Sequence, residues 1–269
     1  DFSLTLLIFY EYILIFVDCF NGEWINMNRS LAAWLVIIGG FFTPAIMIAI
    51  ALYRSSATRA ALLKKEYWTN HWLNSWESIA MFLLPLGIIL STSLVTQIEF
   101  KNNTWKQLHT SPQTFTNLFL AKLSVIVLML LQFFLLFNLG TYLSGIIPIL
   151  FIDDAHYPIA NIPWKDIFYN SLLYFITSLP IIAIQYLVSL QFKNFLVSIS
   201  VGLGLWVASI AGLAWKYSYM LPYSHGSLYY LKLSGRLLRP IPVIEMALAY
   251  FIIVIIISYI LYITKKEKG

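Results

Sequence analysis

The run LAAWLVIIGGFFTPAIMIAIALY, Leu31–Tyr53, carries no charged residue. About 20 apolar residues in a helix cross the ~30 Å hydrocarbon core of a bilayer, so this run alone limits what the chain can become. Four more runs share its character: Glu77–Ile98, about Leu118–Ile147, Phe168–Leu190 and Ile241–Thr264. A further run, Asn194–Trp215, is rich in small residues (Gly202, Gly204, Gly212). Small residues let helices approach closely in lipid, and the run is counted as a sixth span. Composition agrees. The 269 residues are 60% hydrophobic and 11% charged, with mean hydropathy +0.78, against about 45–50% and about 25% in soluble domains. The fold class is therefore all-α: a polytopic membrane protein with about six transmembrane helices, an N-terminal interfacial helix and a short helix between spans two and three.

The N-terminal run Phe2–Phe20 is nearly long enough to cross but contains Glu11 and Asp18. A carboxylate at the helix centre costs about 2.5–3.5 kcal/mol on insertion scales, which favours an interfacial helix over a seventh span. No basic segment precedes the run, so it reads poorly as a signal peptide. Residues 1–22 are treated as an N-terminal apolar extension and 23–269 as a single transmembrane domain. Pro44, Pro85 and Pro180 fall inside spans and are expected to kink them. The loops Gly145–Trp164 and Trp215–Pro240 are apolar and aromatic, and are expected to lie in the interface or re-enter shallowly.

Charge says less. The net +5 and pI near 9.1 fit anionic headgroups rather than nucleic acid. With both ends cytoplasmic, a six-span model places eight of the 17 Lys and Arg inside and nine outside, so the positive-inside rule does not fix orientation. Cys19 is the only cysteine, which excludes an internal disulfide and a multi-cysteine metal site.

The loop after the second span, IEFKNNTWKQLHTSP (Ile98–Pro112), is polar and has helical character. Ile98, Trp105 and Leu108 fall near helical spacing, while Glu99 and Asn103, four apart, share a face. Ser111 suits an N-cap and Pro112 the first turn of the next helix. Together they describe a short helix, a corner and a lever feeding span three; an ordinary solvated hairpin loop is the other reading of the same residues.

The stretch ESIAMFLLPLGIILSTSLVTQIEFKNNTWKQLHTSP, followed downstream by FLAKL, resembles the permease subunits of type-2 export ABC transporters, in particular the branch associated with lantibiotic and bacteriocin self-protection. The positions that carry the likeness are Glu99, Thr104, Pro112 and Ala121-Lys122; Asn103 stands where the wider family has Gly. EWINMNRSLAAW, from Glu23, resembles the family's N-terminal connecting helix. The resemblance implies that the loop is a cytoplasmic coupling helix seated on an ABC ATPase subunit. Its contacts would be Glu99, Asn103, Thr104, Trp105, Lys106 and Leu108, with Ser111 and Pro112 forming the helix corner. Trp105 is the expected anchor, a residue type enriched at interface hot spots. Glu99 has a competing role as a pairing partner for Lys101 or Arg29.

The chain contains no G-x-x-x-x-G-K-[ST] phosphate loop. No cofactor is therefore expected in it, ATP and Mg would be bound by the ATPase partner, and the chain itself is not expected to be an enzyme. The further partners implied are a second permease subunit, identical or paralogous, and membrane lipid, with no nucleic acid. The setting that the resemblance implies is the bacterial plasma membrane, multi-pass, and the expected cargo is amphipathic, lipid-like or a peptide antibiotic. Two other readings compete: an integral-membrane enzyme acting on lipids, and a non-transporting anchor or sensor subunit. The enzyme would need clustered His, Asp or Glu. His71, His109, His156 and His225 all fall in predicted loops, and Asp153-Asp154 with His156 reads as a wet loop rather than a metal site. No H-E-x-x-H, C-x-x-C or G-x-S-x-G occurs. Glu77 and Glu245 sit at span edges, shallow enough to snorkel or pair.

Overall fold

The computed structural model describes residues 2–28, 30–101, 114–192 and 194–264, with side chains from 14 onward and, at the end of the second span, as far as 97. The described residues are mostly helical, without a strand. The helices are α1 (Phe2–Asn28), α2 (Leu31–Tyr53), α3 (Ser55–Leu62), α4 (Tyr67–Ser78), α5 (Leu84–Lys101), α6 (Phe115–Ile146), α7 (Trp164–Gln191), α8 (Phe195–Ala211), α9 (His225–Leu233) and α10 (Val243–Thr264). The helix α1 runs unbroken through residues 22 and 23.

Five helical stretches are long and apolar enough to cross a membrane: Leu31–Tyr53, Tyr67–Gln97, Phe115–Leu150, Trp164–Gln191 and Val243–Thr264. The expected sixth is shorter. The 17 residues of α8 sit at the lower limit for a span, yet they join opposite ends of the bundle. Ser198 meets Ser93 and Ser189 in one half, and the Trp206 indole N–H donates to the Met81 carbonyl, 3.2 Å, in the other. The described residues thus hold five helices long enough to cross a membrane and, in α8, a sixth that is shorter. One face, called proximal here, holds the α1–α2 junction, the end of α5, the start of α6 and the end of α10. The other, distal, holds the α2–α4, α6–α7 and α8–α10 connections. At the α2–α6 crossing glycines face the opposite helix: a Cβ on Gly140 would come within 2.9 Å of Pro44, and one on Gly40 within 2.9 Å of Leu136. Close backbone approach of this kind is how lipid-embedded helices gain packing. The helices α2 and α10 lie outermost, with 22% and 17% of their most apolar stretch buried, against 61% in α7.

The second crossing starts at Tyr67, ten residues before the apolar run at Glu77. In YWTNHWLNSWES the polar Asn70, His71 and Asn74 lower the average hydropathy, but Trp68, Trp72 and Trp76 recur every fourth residue and form one buried face. A π turn, Ile79–Leu83, joins α4 to α5. Pro85 has no N–H, so the carbonyls of Met81 (four back) and Ala80 (five back) lose their helical donor. Both are served from elsewhere: Met81 by Trp206, and Ala80 by the Ser227 hydroxyl at 3.1 Å. A proline in lipid is tolerated on just these terms.

The segment 212–242 departs from the shallow re-entry expected of it. Helix α9 is a plug: His225, Gly226, Ser227, Leu228, Tyr229 and Tyr230 are all buried. Tyr229 donates to Asn170 Oδ1 at 2.7 Å and stands edge-on to Tyr174, which stacks on Trp76 at 3.7 Å and 3°. His71 and His225 therefore lie in helices rather than loops, His156 lies in a loop as expected, and His109 falls outside the described residues.

Candidate functional site

Glu99 sits in the last turn of α5, and its side chain lies outside the described residues. Asn103, Thr104, Trp105, Lys106, Leu108, Ser111 and Pro112 lie outside them altogether, as does Arg29. What is described is the frame on either side. The end of α5 is tied to the end of α7 by Gln97 Nε2, which donates to the Phe192 carbonyl at 3.0 Å. The start of α6 is capped by Thr114, whose Oγ1 accepts from the Asn117 N–H at 3.3 Å. One residue into the helix, Phe115 packs edge-on against Tyr262; Thr116 Oγ1 lies 2.9 Å from the Tyr259 hydroxyl, fastening α6 to the end of α10. The Tyr186 hydroxyl of α7 donates to the Phe119 carbonyl at 2.9 Å.

Among the described residues at this face one ion pair is buried. Lys122, 2% exposed, donates to Glu23 of α1 at 3.1 Å. The α1 stripe Cys19, Glu23 and Met27, each four residues from the next, is the face turned inward; Cys19 and Met27 are buried, and α6 is the helix that α1 packs against most closely. Burial and the adjacent carboxylates Glu23 and Asp18 push the Cys19 thiol above its usual range. Lys122 was among the motif positions; its partnership with Glu23 was not foreseen. The signal was available, because a lone ammonium in the lipid-spanning part of an apolar helix needs a carboxylate within reach.

A second polar group was missed altogether. In the apolar interior Gln185 of α7 is fully buried, and its amide donates to Ser93 Oγ (2.8 Å), Ser198 Oγ (3.0 Å) and the Ser198 carbonyl (3.0 Å). Ser189 and Ser198 hydroxyls lie 2.6 Å apart. The Tyr223 hydroxyl donates to Gln185 Oε1 at 3.2 Å. Four elements, α5, α7, α8 and the 212–224 strap, meet at one amide. Gly202 is required there, since a Cβ would collide with Gln185 Oε1. Serines in apolar runs are poor sequence signals because each is common and inexpensive by itself; only the fold gathers them.

The remaining candidates are peripheral. Glu77 pairs with Arg236 at 2.7 Å on the exposed surface, as a shallow carboxylate should. His156 Nδ1 lies 3.1 Å from the Asp154 carbonyl, and the Asp153 carbonyl accepts from Arg59. No group of three or more His, Cys, Asp or Glu stands together among the described residues. Between α2, α5 and α6 an apolar cavity of about 310 Å³ is lined by Val36, Phe42, Leu84, Ile88, Met129 and Phe133, with Ser91 its polar member.

Five helices long enough to cross a membrane, a shorter apolar sixth and lipid-facing outer helices mark a multi-pass protein of the plasma membrane. A family model described as ABC-2 family transporter protein matches residues 19–209, well over half of the chain, and the chain belongs to that family. The match runs from the inward stripe of α1 to the end of α8, taking in Glu23, Lys122 and Gln185. No curated protein matches the chain. Membership makes the chain the membrane part of a transporter and implies an ABC ATPase partner.

Proposed function

We propose that the chain is the permease subunit of an ATP-driven ABC exporter that moves an amphipathic, peptide or lipid-like molecule out of or away from the membrane, in the manner of bacteriocin self-protection. The observation that carries the reading is the mechanical frame around residues 102–113. The helices on both sides of that segment end on the proximal face, where α5 is tied to α7, and α6 to α1, α7 and α10. A displacement of the segment would reach five helices at once. In this reading 102–113 is the coupling helix, facing the cytoplasm. Glu99, Asn103, Thr104, Trp105, Lys106 and Leu108 touch the ATPase, and Ser111 and Pro112 make the corner. ATP and Mg are held by that partner, and a second permease subunit, identical or paralogous, completes the path. Two-state movement of the bundle follows the nucleotide cycle. The apolar cavity between α2, α5 and α6 supports an amphipathic cargo, since binding pockets of this size are mostly apolar with few polar groups.

The test is ATP hydrolysis by the reconstituted complex with and without added cationic peptide. Stimulation several-fold, lost in Trp105→Ala, is expected; hydrolysis indifferent to any amphipathic additive, with an intact complex, would reduce the chain to an anchor.

A further inference from the structure

A second cavity, of about 430 Å³, lies away from the frame just described, between α4, α6 and α7 in the distal half. Its mouth faces outward: Leu135 is 69% exposed, and Leu139, Phe168 and Leu172 are exposed with it. Its distal end is aromatic, with Trp68 stacked on Tyr142 at 5.7 Å and Tyr142 against Trp164 at 5.7 Å, the ring types that settle at headgroup level. From Tyr142 the cavity wall runs along α6 to Leu131, about 16 Å at 1.5 Å per residue, which is half the ~30 Å core and so the depth of one leaflet.

Two hydrogen-bonding atoms at the distal end have no partner. Trp68 and Thr141 both line the cavity and are each 3% exposed; the Trp68 Nε1 and Thr141 Oγ1 atoms are buried and unpaired. The polar atoms beside them are occupied. The Ser144 hydroxyl donates to the Thr141 carbonyl at 2.8 Å, so His71 Nε2 carries the hydrogen and shares it between that carbonyl (3.1 Å) and Ser144 Oγ (2.9 Å). Deeper in, Asn138 Oδ1 accepts from Trp72 and Ser171. An unpaired buried donor costs about 1–3 kcal/mol, and two of them stand at the end of a mainly apolar cavity whose polar side chains His71, Asn138 and Ser171 are hydrogen-bonded. We infer that this cavity holds one acyl chain of a bilayer glycerophospholipid, whose ester carbonyl accepts hydrogen bonds from Trp68 Nε1 and Thr141 Oγ1. A chain of one leaflet's depth fits the wall, and an acceptor at its interfacial end fits the two idle donors. The assignment is independent of the transport reading.

The test uses the full chain in nanodiscs of phosphatidylethanolamine and phosphatidylglycerol, doped with a phospholipid bearing a photoreactive diazirine at mid-chain. Adducts should concentrate on peptides covering 131–139 and 168–175. Leu139→Trp, at a lipid-facing position that leaves the core alone, should lower them several-fold. Adducts spread over the outer helices in proportion to exposed area, and indifferent to Leu139→Trp, would overturn the assignment. Thr141→Val separates a ligand from a mere defect. With the ester as acceptor, the variant shows a smaller rise in Tm on adding phospholipid to delipidated protein. With no ligand, deleting an idle hydroxyl raises Tm equally with and without lipid, and the assignment fails.

Discussion

The two ends of the bundle are held together by different physics. At the distal end Trp76 lies flat on Tyr174, Tyr229 closes the stack, and the buried polar contacts are neutral, with Trp206 on Met81, Ser227 on Ala80 and Tyr229 on Asn170, while the Glu77–Arg236 pair stays at the exposed surface. At the proximal end a fully buried ammonium meets a carboxylate from another helix, beside the junction through which external work is proposed to enter. Neutral packing is stable in one arrangement and resists displacement. A buried ion pair gives little net stability over a well-packed apolar contact, yet losing one partner is costly because an uncompensated charge stays buried. The difference separates an end fastened by neutral packing from an end fastened by a buried pair of charges.

The contrast can be broken first at the distal stack. Trp76→Ala removes a fully buried indole and should cost about 3–5 kcal/mol, read as a large loss of Tm and of expression, with no suppressor at the proximal end. Glu23→Gln removes one partner of the buried pair, a change worth about 3 kcal/mol or more. Its signature is different: the exchange Glu23→Lys with Lys122→Glu should restore much of the loss, in both Tm and coupled ATP hydrolysis. Gln185→Leu, at the node between the two ends, strands the Tyr223 hydroxyl at about 1–3 kcal/mol, while Ser93 keeps its contact with Ser198. Tm should drop by several degrees while the ATPase stays attached.

Smaller effects sharpen the same contrast. His225 donates from Nε2 to the Tyr219 carbonyl at 2.8 Å, and its Nδ1 is buried without a partner. Burial pushes its pKa below the usual 6.5, the Tyr219 contact opposing in part. Below about pH 6.5 the unfolded chain therefore binds a proton that the folded chain declines. Tm should fall between pH 7 and 5, and His225→Gln should flatten the fall. Glu77→Gln, which breaks the exposed pair with Arg236, should leave Tm unchanged within error, as surface ion pairs commonly do.

Most of the architecture was legible because lipid demands long apolar helices. The run Leu31–Tyr53 is a helix with those same bounds, and α6, α7 and α10 start and end within a few residues of the runs that announced them. The second span began early because a period-four stripe of Trp was averaged away by Asn and His between its members. The plug at 225–233 was read as shallow because its Tyr and His residues suit an interface when taken one at a time; packing against Ala80 and Tyr174 buries them. The ion pair was half legible, in Lys122. The Gln185 node was not, since its four contributors are scattered from residue 93 to 223.

The most direct measurement is the amount of ATPase subunit that copurifies with the chain from native membranes, compared between the unaltered protein and the Trp105→Ala and Glu99→Ala variants at matched expression. The account predicts that the partner is lost or sharply reduced in both. A full complement of ATPase on both variants would contradict the claim that work enters the bundle through residues 99–112.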